Sequence, residues 1–153
     1  MDSAEVAGWI TALVDFCAVR DVDELVPAQV EPALGGPADV AILFGGSILV
    51  GGDVLAGAVR AGTAARSMVV GGQGHSTDHL RRSLREALGW RDVEEMTEAA
   101  LFVRYLSERH GLAVDLVEQD STNCGNNVTN ALALLHERGV PTDRLVLVQD
   151  ATM

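Results

Sequence analysis

The sequence predicts an α/β fold: a Rossmann-like, three-layer α/β/α domain on a mainly parallel sheet, preceded by an N-terminal helical segment. Three observations predict it. From Asp39 onward, short apolar runs alternate with helix-length amphipathic stretches, the pattern of strands joined by crossover helices. Residues 40–44 are apolar at every position, as a strand covered on both faces must be. The strands lead into loops rich in glycine, hydroxyl or amide residues, and right-handed crossovers gather such loops at one edge of a parallel sheet.

The elements follow in order. Residues 3–20 carry Val6, Trp9, Ile10, Leu13, Val14 and Cys17 at helical spacing, with Ser3 as the expected N-cap and Cys17 as a buried thiol. Residues 22–37 hold Pro27, Pro32, Pro37 and the pair Gly35-Gly36, which reads as a short helix and a linker. We therefore divide the chain into a helical segment over 1–37 and a Rossmann-like domain over 38–153. Within that domain, strand 40–44 leads through a glycine-rich loop, 45–52, to an alanine-rich helix over 53–66. Residues 67–70 form the second strand. Two helices, 79–88 and 94–109, follow, the second stopped by Gly111. Residues 113–117 form the third strand and 120–127 a polar loop. A helix over 127–138 ends at Gly139, and 145–148 belong to the fourth strand. An α/β domain ordinarily continues with a helix at that point. We expect a chain truncated after the fourth strand, its remaining strands missing.

Composition narrows the chemistry. The 153 residues carry a formal charge of −11, and all 11 cations are arginine. A chain so acidic does not suit a polyanion as its main partner, so no nucleic acid is expected. Without lysine there is neither a Schiff-base enzyme nor a Walker-type phosphate loop. Hydrophobic residues make up 48% but aromatics only 4%, so the core must be Ala, Val and Leu. The longest apolar stretch is broken by two glycines and falls far short of the roughly 20 residues of a membrane helix. The acidic N-terminus does not read as a signal peptide, and two cysteines do not make a disulfide framework. A cytoplasmic protein with no membrane partner is the expectation.

Ligands of open α/β sheets bind beyond the carboxyl ends of the strands. Four segments fall there. Gly45, Gly46 and Ser47 follow the first strand; a tight turn and a ligand loop are equally good readings of them. Gly71-Gly72-Gln73-Gly74-His75-Ser76-Thr77 follows the second. Its alternative is a flexible loop in which Ser76 or Thr77 caps the next helix. His75 and His79 stand four residues apart, but no carboxylate or cysteine joins them at a metal-site spacing, so no metal is expected. Ser121, Thr122, Asn123, Asn126 and Asn127 crowd one helix start, where a single cap needs one such residue. Cys124 among them is expected to be a small packed thiol. Asp150 ends the fourth strand. Glu98 lies on an amphipathic helix, where a glutamate is ordinarily a solvated charge.

Four motifs in this order resemble the YdcF branch of the YdcF/SanA/ElyC-like family. They are Gly71-Gly72-x-Gly74-His75-Ser76-Thr77, then Glu98, then Ser121-Thr122-Asn123-Cys124-Gly125-x-Asn127, and finally Gln149-Asp150-x-Thr152-Met153. The likeness runs from about Asp39 to Met153. It implies a Rossmann-like domain of poorly defined biochemical role, binding S-adenosylmethionine with no established methyl transfer. SanA/ElyC relatives are membrane-anchored and linked to envelope biogenesis; a chain without an anchor fits the other branch. One departure is Asn126, which stands where the family pattern has glutamate. Asparagine keeps hydrogen bonding but removes any catalytic base or metal ligand at that position.

The expected ligand is thus a nucleotide-type small molecule, S-adenosylmethionine first, held by Gly45, Gly46, Ser47, Gly72, Gln73, Gly74, His75, Ser121, Thr122, Asn123, Asn127 and Asp150. The rival is a hydrolase or transferase acting on a phosphorylated or envelope-related substrate, with His75, Glu98 and Asp150 in acid–base roles. A third reading is a non-catalytic interaction domain. A second copy of the chain, or a missing C-terminal part, is the expected protein partner.

Overall fold

The computed structural model describes residues 2–150. Thr152 and Met153 of the fourth motif lie outside them. Strands β1 (Ala38–Phe44), β2 (Ala64–Val70), β3 (Leu116–Glu118) and β4 (Leu145–Val148) form one all-parallel sheet in the order β3-β2-β1-β4. The strand order reverses between β1 and β4, because the chain moves outward from β1 through β2 to β3 and then returns to the other side of β1.

Strand alternation divides the core between the two faces of the sheet. Ala41, Leu43, Val69, Val146 and Val148 face one side. They meet Leu55 and Ala56 of α3 (Val50–Ala61), Leu80 and Leu84 of α4 (Thr77–Leu88), and Leu101, Phe102 and Leu106 of α5 (Glu98–His110). Val40, Ile42, Phe44, Met68, Val70 and Leu116 face the other, under Ala131 and Leu135 of α6 (Cys124–Glu137). Helices therefore cover both faces, as the fully apolar run in β1 requires.

Ahead of the sheet lie α1 (Ser3–Cys17) and α2 (Pro27–Leu34). Helix α2 belongs to the core: Val30 is buried and Leu34 packs against it, and just ahead of the helix the Thr63 hydroxyl donates to the carbonyl of Leu25. Helix α1 does not, since none of its residues is buried. Its cap is Asp2 rather than Ser3, and Cys17, expected inside, is exposed. The periodicity marks a face that could be buried, but among the described residues nothing covers it. No helix among them is long and apolar enough to cross a membrane.

Several boundaries differ from expectation for local reasons. Helix α3 stops at Ala61 because Gly62 takes a left-handed conformation, and the next residues join β2. Helix α5 starts at Glu98, four residues late, because the Thr97 hydroxyl caps it by accepting from Ala100 N. Helix α6 starts at Cys124, three residues early, because Asn123 accepts from Asn126 N. Gly111 closes α5 as expected.

Candidate functional site

The carboxyl edge of the sheet is organised around Glu98. It is the first residue of α5 and is 5% exposed. The loop after β2 holds that helix end through its carbonyls: Glu98 N donates to Gly72 O at 2.9 Å and Ala99 N to Gly71 O at 2.8 Å. The carboxylate then turns back over the same loop. Oε1 accepts from the Ser76 hydroxyl at 2.7 Å and from the Thr77 hydroxyl at 2.9 Å. Thr77 Oγ1 in turn accepts from Gly74 N at 2.8 Å. These bonds, with the positive end of α5, offset the cost of burying the carboxyl group. A solvated glutamate was the ordinary expectation at this position; the late start of α5 puts Glu98 against the sheet instead.

Oε2 takes neither hydroxyl and lies against two glycines. A Cβ on Gly45 would stand 2.5 Å from Glu98 Oε2, and one on Gly71 would stand 3.0 Å from Glu98 Cβ. The loops after β1 and β2 are joined beneath it by Gly45 N donating to Val70 O at 2.6 Å. Gly72 serves a different contact: a Cβ there would fall 1.9 Å from the backbone oxygen of Ser121. Gly72 N also donates to Ser121 Oγ at 3.0 Å, and Ser121 is 2% exposed. Gly72 and Ser121 thus lock the loops after β2 and β3 together.

A cleft of about 350 Å³ opens beside this core. Gln73, Gly74 and His75 of the β2 loop line it, with Thr77, Asp78 and Arg81 of α4 and Thr122 of the β3 loop. It therefore lies over β2 and β3, not at the β1/β4 reversal. Gly45, Gly46 and Ser47 lie at that reversal after β1, and half-buried Asp150 follows β4 there. The expected residues accordingly fall in two groups along one edge, with Glu98 touching the loops of both β1 and β2.

Thr122, Asn123 and Asn126 form an exposed cluster at the start of α6. Asn126 Oδ1 accepts from Thr122 Oγ1 at 3.0 Å and from Asn123 Nδ2 at 2.8 Å. The asparagine standing in the glutamate position is thus a hydrogen-bond acceptor inside the cap. Asn127 is half-buried, and its N–H donates to Asn123 O. Cys124, expected to be packed, is exposed along with its neighbours Asn123, Gly125 and Asn126. His75 and His79 are exposed. Among the described residues no three His, Cys, Asp or Glu groups gather to hold a metal.

Two polar residues at this edge were missed from sequence. Glu118 ends β3 and is 6% exposed. Its Oε1 accepts from Asp120 N at 2.8 Å and Asn130 Nδ2 at 3.1 Å, while Oε2 is buried without a partner among the described residues. The signal was period two: Glu118 shares a face with Leu116, but ending the strand at residue 117 hid it. Arg81 of α4 is 8% exposed and brings a cation to an edge whose loops have none. It stands between Leu80 and the polar Arg82, and nothing in the spacing separates one arginine from the next.

Away from the edge, one clasp bears on the site. The Tyr105 hydroxyl donates to Asp53 Oδ1 at 2.8 Å, and His110 Nε2 lies 2.7 Å from the same oxygen. Burial, then the Asp53 carboxylate, pushes the Tyr105 phenol above its ordinary pKa. The clasp ties the first turn of α3, and so the loop after β1, to the helix that begins with Glu98.

Compared with models of protein families and with curated proteins, the chain matches none.

Proposed function

We propose that this chain binds a nucleotide-type small molecule at the carboxyl edge of its sheet, with S-adenosylmethionine as the first candidate. One observation carries the reading. Glu98 is buried between the glycine loops after β1 and β2, held by two hydroxyls, beside an open cleft of about 350 Å³. Small-molecule sites in this size range commonly combine a few fixed polar groups with close-approaching backbone. The order of the four motifs, resembling the YdcF branch, supplies the candidate ligand. S-adenosylmethionine carries a sulfonium and an ammonium that suit Glu98 and Asp150, and ribose hydroxyls that suit neutral amides and hydroxyls. A cytoplasmic protein acting free of the membrane belongs to the same reading.

Equilibrium dialysis with S-adenosylmethionine and with ATP tests it. Saturable binding of S-adenosylmethionine, weaker binding of ATP, and a loss of about tenfold in Glu98→Gln are expected, the loss matching one hydrogen bond to a charged group. No binding of S-adenosylmethionine at millimolar concentration would overturn the reading.

One observation favours a second reading, a hydrolase or transferase on a phosphorylated or envelope-related substrate. The Ser76 hydroxyl lies 2.7 Å from the Glu98 carboxylate, within the reach of a nucleophile and its base, and His75 is its neighbour. An esterase and phosphatase screen is the test. Activity that survives both Glu98→Gln and His75→Ala removes these residues from acid–base roles.

A further inference from the structure

We infer that the cleft beside α4 is an anion subsite, in which Arg81 and the N-terminus of α4 take a phosphate or carboxylate group of the bound small molecule. The identity of the whole ligand rests on the reading above; the subsite itself can be probed without it.

Two independent observations carry this. First, α4 has twelve residues and no side-chain cap. Ser76 stands at the capping position, yet its hydroxyl is spent on Glu98, and so is that of Thr77. The first N–H groups of an α-helix have no intrahelical acceptors and carry the positive end of its dipole. Here Thr77 N donates to Gly74 O at 3.3 Å, and no side chain among the described residues caps the N–H groups of Asp78 and His79, an arrangement that attracts an anion.

Second, a cation lies one turn along the same helix, lining the same cleft. Arg81 is 8% exposed. Its Nη2 donates to Met96 O at 2.8 Å, which anchors the guanidinium, and its Nε is buried without an acceptor among the described residues. A buried donor ordinarily finds a partner. Among the described residues the one carboxylate on Arg81 is Asp78, 3.1 Å from Nη1, but the Asp78 side chain is 86% exposed. With its carboxylate partner in solvent the pair is partly screened, and Asp78 can swing into water when a ligand anion arrives. Gln73 and Thr122 across the cleft add neutral hydrogen-bonding groups. Asp78 thus holds the site's charge in the absence of ligand and competes with the ligand for it.

Titration of the whole chain with inorganic phosphate and with acetate, followed by amide chemical shifts of Gly74 and His75, tests the subsite. Saturable binding is expected, with phosphate tighter than acetate. Arg81→Gln should weaken phosphate about tenfold or more, as for a charge-assisted contact. Asp78→Asn should tighten it severalfold, because the competing carboxylate is gone. Asp78 is exposed, so this variant reads the site even if Arg81→Gln fails to fold. Equal phosphate affinity in the parent and Asp78→Asn, or no saturation at all, overturns the inference. Comparing S-adenosylmethionine with 5′-methylthioadenosine, which lacks the carboxylate, separates the two claims. If Asp78→Asn tightens the first and leaves the second unchanged, the carboxylate occupies the subsite. If S-adenosylmethionine does not bind while phosphate still responds to both variants, the subsite stands and the ligand reading falls.

Discussion

Glycine at two positions of this edge is required by what lies opposite, and the opposing atoms differ. At Gly45 a Cβ meets Glu98 Oε2 at 2.5 Å, Glu98 Cβ at 2.9 Å and the carbonyl of Val70 at 3.1 Å. At Gly72 it meets backbone oxygen of Ser121 at 1.9 Å and of Gln119 at 2.7 Å. The carboxylate end of Glu98 can swing away and its Cβ needs only a small shift, whereas two loops bonded through Gly72 N and Ser121 Oγ cannot give as far as the 1.9 Å contact demands without parting. Gly45→Ala should therefore cost about 1–3 kcal/mol, the usual range for overpacking, with Glu98 displaced. Gly72→Ala should cost more and should loosen the β3 loop. Urea denaturation of both variants checks the order, and equal costs would contradict it. The glycines themselves were legible in the sequence as close-approach positions, but what they approach was not. Reading Gly72 as backbone room for a ligand missed that Ser121, 49 residues on, fills that room. Glu98 illustrates the same limit. Its candidacy could be read from a motif, but its burial depends on hydroxyls 21 and 22 residues earlier.

Every strand and every helix of the described chain was visible as a pattern, while several of their ends were not. Ends are set by single interactions: the Thr97 cap on α5, the Asn123 cap on α6, the left-handed Gly62 after α3. Such bonds contribute about 1 kcal/mol each and leave little trace in a hydrophobic period. Helix α1 exposes the converse. Its period is clear, yet Trp9 is 63% and Leu13 63% exposed, whereas Leu55 of α3 is 0% exposed. Period reports a helix that can bury a face, not one that has done so. Stability should follow burial rather than period. Leu55→Ala should cost about 2–5 kcal/mol, and Trp9→Ala or Leu13→Ala should stay within about 0.5 kcal/mol. Chemical denaturation compares them directly. Fluorescence gives a second check: Trp9 should be readily quenched by acrylamide, and Trp90, 7% exposed and stacked under the Arg104 guanidinium at 4.0 Å, should not. A Leu13→Ala cost comparable with that of Leu55→Ala would mean that α1 packs on the domain in solution.

The whole molecule divides its polar chemistry between the two edges of the sheet. The carboxyl edge carries the buried glutamates and the cleft. Below it, midway along β2 and just before β3, Asp115 pins the strands: Ser67 N and Ser67 Oγ each donate to Asp115 Oδ2 at 2.8 Å. The Ser67 N–H holds the Asp115 carboxyl below its ordinary value, with smaller help from the Ser67 hydroxyl and Arg66 against the opposing effect of burial. A carboxyl whose pKa is depressed on folding adds stability above its unfolded value and loses it as pH falls through the folded one. The unfolded value here is near 3.8. A chain of net charge −11 also changes its self-repulsion as acid is added, which would blur the effect in the parent alone. The difference between the parent and Asp115→Asn removes most of that shared background. That difference should be constant from pH 7 to about 5, shrink as pH drops below about 4, and vanish once Asp115 is protonated in both states. Because its side chain is 40% exposed, the plateau should be tenths of a kcal/mol to about 1, as for a partly screened pair. Urea denaturation of both proteins from pH 7 to 3 measures it. A gap that widens toward low pH would reverse the sign and remove Asp115 as the strand pin; loss of ligand binding in Asp115→Asn at neutral pH would show that the two edges are not independent.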